Sequence, residues 1–171
     1  MEFIDIVKSR YSCRKFTAKP VEQEKLDIIL EAGRWAPTAK NLQEQHIYVI
    51  RTEAQLAKID ALTPFRYGAP LVLAVAYDKN NVYTYPGDKF NSGAEDATIV
   101  ATHMILAAAT LGIDSCWLNH YNPDLAAQAF GLPENEEIVM LMDLGYAAED
   151  AQPAPKHFER KPIEETVTYL E

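Results

Sequence analysis

Pro70-Leu71-Val72-Leu73-Ala74-Val75-Ala76-Tyr77 is the stretch on which the fold turns. It is apolar at nearly every position instead of at alternate ones, which predicts a strand buried on both faces and therefore central in its sheet. Just before it, Glu53 to Leu62 has helical spacing, and His46-Ile47-Tyr48-Val49-Ile50 is β-branched and aromatic enough for a strand. Earlier still, Phe3, Ile4, Ile6 and Val7 read as a short amphipathic helix. Val21 to Trp35 reads as a second, with Gly33 and Pro37 marking its end. After the central strand, Asp78 to Ser92 has no apolar period and carries Asn80-Asn81 and Pro86-Gly87, which predicts a long functional or mobile loop, a possible lid. Ala94 to Leu111 reads as a buried central helix and Gly112 as its stop. Ile113 to Leu118 reads as a strand, Pro123 to Phe130 as a helix and Glu137 to Leu144 as a strand. Helix and strand thus alternate. Residues 1–171 read as one domain whose segment 147–171, with Pro153 and Pro155, forms a C-terminal arm of the kind that crosses onto a partner subunit.

Sixteen Lys and Arg against twenty-five Asp and Glu leave a formal charge of −9, which argues against general binding of nucleic acid or an anionic membrane. Any anion site must be local. The longest apolar run, Ala69 to Tyr77, is far short of the ~20 residues that span a bilayer. The opening Met1-Glu2-Phe3-Ile4-Asp5 lacks the character of a signal peptide, so a cytoplasmic location is expected. Cys13 and Cys116 form neither a disulfide framework nor a zinc signature and read as buried, idle thiols.

Neither G-x-G-x-x-G, nor G-x-x-x-x-G-K-S/T, nor G-x-S-x-G occurs, so dinucleotide-fold, P-loop and hydrolase chemistries lose their main support. His46, His103, His120 and His157 make no metal-ligand spacing. His103, on the apolar helix, reads as a satisfied core histidine, and Glu95-Asp96 read as helix-opening carboxylates. What stands out is a cationic element, Ser9-Arg10-Tyr11-Ser12-Cys13-Arg14-Lys15-Phe16, in an acidic chain. If it is extended, Arg10, Ser12 and Arg14 share a face and present two guanidinium forks and a hydroxyl to an anion with several oxygens. On these residues alone a solvated basic turn is an equal alternative.

Gly33-Arg34-Trp35-Ala36-Pro37-Thr38-Ala39-Lys40-Asn41-Leu42-Gln43 shifts that balance, because with R-x-S-x-R-x-F at Arg10 to Phe16 it resembles the nitroreductase family of FMN-dependent oxidoreductases. Asp96 to Trp117 is similar to the family's long helix ending in G-I-x-S-C-W. Leu132-Pro133-Glu134 with Leu144-Gly145-Tyr146, and the basic pair before Pro162, complete five matches in order. The resemblance implies an α+β, three-layer sandwich with a mixed, mostly antiparallel sheet flanked by helices, in an intertwined homodimer holding two FMN at the subunit interface. It further implies that Arg10 and Arg160 meet the phosphate, with Tyr11 beside them, and that Ser12 and Arg14 lie along the ribityl chain and pyrimidine edge. Pro37, Thr38, Ala39 and Asn41 reach the flavin from the partner subunit, and the backbone of Leu118-Asn119-His120 approaches N5 and O4.

The activity so implied takes hydride from NADH or NADPH onto flavin N5 and reduces a nitroaromatic, quinone or similar flat acceptor by a ping-pong route. It needs no catalytic side chain and no metal. The alternative is a non-catalytic flavin storage or sensor dimer. Phe65, Tyr67, Phe90 and Tyr121 are candidates for the acceptor pocket. Three departures stand out. Glu44-Gln45-His46 replaces the family's usual Pro and bulky aromatic, implying a more polar flavin environment. Asn119-His120 stands where Glu-Gly is frequent, and Phe158 takes the first basic position of a K-x-R-x-P spacing, with Lys156 two residues earlier.

Overall fold

The computed structural model describes residues 2–170. In chain order its elements are α1 (Phe3–Ser9), α2 (Gln23–Arg34), β1 (Gln45–Ile50), α3 (Glu53–Leu62), β2 (Leu71–Asp78), α4 (Gly93–Thr110), β3 (Asp114–Leu118), α5 (Pro123–Phe130) and β4 (Glu136–Gly145). Short 3-10 turns occur at Ala39–Asn41, Lys79–Asn81, Pro155–Phe158 and Ile163–Glu165. The four strands lie in the order β1-β2-β4-β3 and every neighbouring pair is antiparallel. Parallel pairing is confined to an isolated bridge between Ser12 and Ser115.

Leu71 to Tyr77 are all buried, so the unbroken apolar run does mark a central strand. One face of β2 and β4 (Leu71, Leu73, Val75, Met140, Met142, Leu144) packs on Leu26 and Ile29 of α2 and on Val100, Ala101 and Met104 of α4. The other face (Val72, Ala74, Ala76, Leu141) packs on Ile59 of α3, Ala126 of α5, and Cys13 and Phe16. Three layers result, and burying each large aliphatic side chain contributes about 1.5–3 kcal/mol. The fold is the expected α+β sandwich. Register sets where the connections run: Ile50 pairs with Val72, so residues 51–70 with α3 leave and return at one end of the sheet. Helix and strand alternate, yet no parallel crossover forms.

Local signals place α5 well. The Asn122 side chain accepts from the Asp124 and Leu125 N–H groups, Pro123 opens the helix, and Gly131 closes it in the left-handed region at φ 68°. Gly33, expected to end α2, lies inside it. A Cβ there would come within 2.9 Å of Met104 Cγ, so the glycine serves close helix packing. Gly93 meets a stricter limit, since a Cβ would fall 2.1 Å from the Tyr77 ring.

Three expectations need correcting. Residues 78–92 fold into a small hairpin in which Thr84 bridges Asn91 and the Tyr85 N–H donates to Phe90 O over 2.9 Å. α4 is not buried all round: Glu95, Thr98, Thr102 and His103 are exposed along a stripe that no element of the same chain covers. His103 is accordingly no core histidine; its Nδ1 lies 2.9 Å from Ile99 O at the surface. α1 buries only Ile6 and leaves Phe3 and Ile4 exposed. Both cysteines are buried, as expected, and burial pushes the Cys116 thiol up to about 11. No helix among the described residues is long and apolar enough to cross a membrane.

Candidate functional site

The basic element runs extended along the β3 edge. The Cys13 N–H donates to Ser115 O over 2.9 Å, the Thr17 N–H to Tyr146 O over 2.8 Å, and the Ala148 N–H to Lys15 O over 3.0 Å. Cys13 and Phe16 turn into the core and anchor the segment. Arg10 and Ser12 line one cleft of about 290 Å³ together with Thr102, Ile105, Leu106, Ser115 and Trp117. Arg10 also lines an adjoining cleft with Tyr11 and Gly112, and Ser12 shares a third with Arg14, Ala154, Lys156 and His157. Ser12 and Arg14 thus line one cleft.

Neither Arg10 nor Arg14 forms a salt bridge or a side-chain hydrogen bond among the described residues, although Arg10 is half-buried. A half-buried guanidinium without an anion is costly, so the arrangement suits an anionic ligand. Ile105, Leu106 and Trp117 add an apolar wall, and Ser12 and Thr102 add hydroxyls. The Trp117 indole N–H donates to Asn119 Oδ1 over 3.0 Å, which gives the Asn119 side chain a partner. Trp117 and Thr102 were not singled out from the sequence; the exposed stripe of α4 is the signal that would have found Thr102.

Lys156, displaced from the usual spacing, comes beside Arg14. Arg160 does not line these clefts; its Nη1 donates to His157 O and Glu159 O, both over 2.6 Å. Leu118 is buried at the end of β3. Asn119 and His120 line a separate cleft with Leu62, Pro64, Tyr121 and Asn122, where the His120 ring meets the edge of Phe65 at 5.0 Å. Tyr121 lines that cleft, Phe65 and Tyr67 pack on the lower core, and Phe90 sits exposed on the hairpin.

Pro37, Thr38, Ala39 and Asn41 lie elsewhere, at the N-terminal end of α4. The Ala39 N–H donates to Asp96 Oδ2 over 2.9 Å, the Gln43 N–H to Thr38 Oγ1 over 3.1 Å, and Asn81 Nδ2 to Leu42 O over 3.1 Å. Lys40, Asn41 and Gln43 all hold positive φ, at 54°, 55° and 53°. Such residues cost on the order of 1 kcal/mol each and persist only where their surroundings impose the conformation. Asp96 therefore does more than open a helix: buried, it fixes this turn. Measured along α4 at 1.5 Å per residue, Thr102 and Ala109 of the cationic clefts lie roughly 9 and 20 Å beyond Asp96. One chain keeps the two halves apart.

Each half rests on a buried acid. Asp143, across β4 from Cys116 and Val72, is fully buried with neither carboxylate oxygen hydrogen-bonded, and burial pushes it up to about 9 against a smaller opposing pull from Arg66. Under the loop, Glu44 is buried, its Oε1 accepts from Ser92 Oγ over 2.7 Å, and its Oε2 has no partner of fixed proton. Burial raises it, and nearby Asp96 raises it further. Glu44 thus points beneath the loop toward Ser92, and its polarity goes into the loop's support instead of the ligand's surroundings.

A family model described as the nitroreductase family matches residues 7–63 and 61–146. A crystal structure of a nitroreductase family protein from Clostridium difficile 630 is 36% identical, covers 100% of this chain and 99% of that one, and superposes with a TM-score of 0.93. A structure from Clostridium difficile R20291, titled an FMN-dependent nitroreductase, is 25% identical with a TM-score of 0.78, over 98% of this chain and 99% of that one. A curated protein of Methanothermobacter thermautotrophicus, provisionally named an NADH dehydrogenase/NAD(P)H nitroreductase, is 29% identical over 88% of this chain and 80% of its own length.

Proposed function

Because the chain belongs to the nitroreductase family, we propose that it is an FMN-dependent oxidoreductase that draws on NADH or NADPH and reduces a flat acceptor such as a nitroaromatic or quinone. The observation that carries this reading is the pair of uncompensated guanidinium groups on one extended segment, Arg10 in a cleft walled by Ile105, Leu106 and Trp117 and Arg14 in a second cleft that shares Ser12 with it. A phosphate dianion joined through a polyol to a flat ring system needs cations, hydroxyl partners and an apolar wall in that order, and these residues fit it. The relatives' names support the same reading: one is FMN-dependent, and another carries NAD(P)H in its name.

When bound, FMN would supply reversible two-electron chemistry between a nicotinamide and an acceptor, by a ping-pong route. The chain's own task is to bind and orient. Arg10, with Tyr11 alongside, holds the phosphate and fixes the register of the ring; Arg160, which lies outside these clefts, would join it only if the arm carries it there. Ser12 meets the polyol. Arg14 fixes a positive charge at the pyrimidine edge, favouring negative charge there without a proton having to arrive. The segment Leu118-Asn119-His120 supplies backbone donors on the other side, its path set by the Trp117–Asn119 hydrogen bond.

The remaining wall comes from Pro37, Thr38, Ala39 and Asn41 of a second copy, since one chain keeps that loop away from the clefts. A homodimer is also supported by the apolar side chains that one chain leaves uncovered on its arm: Phe158, Ile163, Tyr169 and Leu170 are 65–94% exposed. Reconstitution with FMN followed by anaerobic addition of NADH or NADPH tests the proposal. Bleaching of the flavin is expected. A bound flavin that neither reductant bleaches points to storage or sensing, and a chain that takes up no FMN overturns the reading.

A further inference from the structure

Glu44 and Asp96 are an unusual pair to find beneath a ligand-facing loop, because two adjacent carboxyl groups are both 97% buried and no cation offsets them. Glu44 Oε2 is buried without a hydrogen-bond partner, Asp96 is close enough in the same cluster to act on Glu44, and Asp96 Oδ2 holds the Ala39 N–H. Ser92 completes the cluster by donating its hydroxyl to Glu44 Oε1 while its backbone carbonyl accepts the Asp96 N–H over 2.7 Å. A carboxyl hydrogen between Glu44 Oε2 and Asp96 satisfies every polar atom of the cluster that otherwise lacks a partner; two carboxylates there would repel each other in a medium without water.

The groups facing this cluster from neighbouring elements are otherwise engaged. Lys40 lies over the Tyr83 ring at 4.2 Å, the Tyr85 hydroxyl donates to Glu95, and Asp78 accepts from the Asn80 N–H and from Asn135. Asp96 is the one charged group among the described residues that acts on Glu44.

We propose that Glu44 and Asp96 share one proton, and that this proton latches the strained Thr38–Gln43 turn in the conformation that receives the cofactor. In that role Glu44 is a positioning residue acting through Asp96 and the Ala39 N–H. The effect on FMN rests on the reading of this loop as a flavin wall; the latch itself does not. Burial raises the Glu44 ionisation, so the turn is held below it and loosens as pH rises through it.

Hydrogen exchange at the Ala39 and Gln43 amides, read as protection factors between pH 6 and 10 on the protein as purified, tests the latch. FMN affinity is measured over the same range in wild type and Glu44→Gln. The glutamine amide donates to Asp96 without titrating and still accepts from Ser92. In wild type, protection at Ala39 should fall about tenfold per pH unit above the Glu44 ionisation, with FMN affinity falling in parallel. In Glu44→Gln both should stay within about twofold across the range. Flat protection in wild type, or an unchanged pH dependence in the variant, overturns the proposal. If the chain binds no FMN the flavin reading fails, yet Ala39 exchange still decides the latch. Should Glu44→Gln not fold, infrared detection of a protonated carboxyl that disappears at the pH where Ala39 protection drops serves the same end; absence of that band contradicts the latch.

Discussion

The edge segment Arg10–Phe16 and the turn Thr38–Gln43 are built on opposite principles. The first is ordinary extended backbone clipped to β3, and it offers Arg10 and Arg14, which no acid among the described residues neutralises, while its Lys15 pairs with Asp150. The second offers mainly backbone, and three of its residues sit in the left-handed region. Their buried acids differ as well: neither oxygen of Asp143 has a hydrogen-bond partner, whereas Glu44 accepts from Ser92 through one oxygen. The contrast teaches that affinity and shape are separable here. On the proposed reading, charge on a rigid strand would bind the anion, and a strained, supported turn would shape the wall against the ring.

If that division is right, substitutions on the two sides should fail in different ways. The largest effect is expected for Arg10→Ala, which removes a charge-assisted fork and should weaken FMN binding about 100-fold. The potential of the flavin that still binds should stay nearly unchanged, because phosphate anchoring has no part in its electronics; potentiometry beside a binding titration checks both. A large shift in potential would erase the distinction between anchoring and tuning.

Asp143 gives the next largest effect and sharpens the contrast between the two acids. Its folded-state pKa of about 9 lies above the unfolded carboxylate value, so the unfolded chain binds fewer protons and stability drains away as pH rises from about 4 toward 9. Asp143→Asn should therefore stabilise the protein at pH 8, with the gain vanishing toward pH 4. Denaturant titrations at the two pH values decide it, and a pH-independent gain would rule out the carboxyl as the source. Arg14→Ala should be milder, with about tenfold weaker FMN binding and a lower flavin potential. An unaltered potential in the loaded variant would contradict the role given to that cation.

How legible all this was in the sequence differs between the two regions. The sheet centre was plain because Leu71 to Tyr77 is apolar on both faces, and α3 had helical spacing while α5 had clear caps. Strand direction was not: alternating helix and strand equally suits a parallel crossover, and only the resemblance pointed to antiparallel pairing. Arg10, Ser12 and Arg14 could be read because a strand's two-residue period puts them on one side. His103 could not, because a run of apolar neighbours hides the fact that its stripe of α4 faces away from the chain's own core. Glu44 was visible as a departure, but its direction depends on Asp96, fifty-two positions later, and no local pattern encodes that meeting.

The central claim is that one site takes its cations from one copy and its turn from the other. Mixing two purified variants, Arg10→Ala and Asn41→Glu, after dissociating and reassociating the subunits tests it directly. If the site is shared, half of each mixed dimer collects both defects and the other half is intact. FMN binding should then return to about a quarter of the sites after random mixing. If every site lies within a single chain, each carries one defect whatever its partner, and no binding returns.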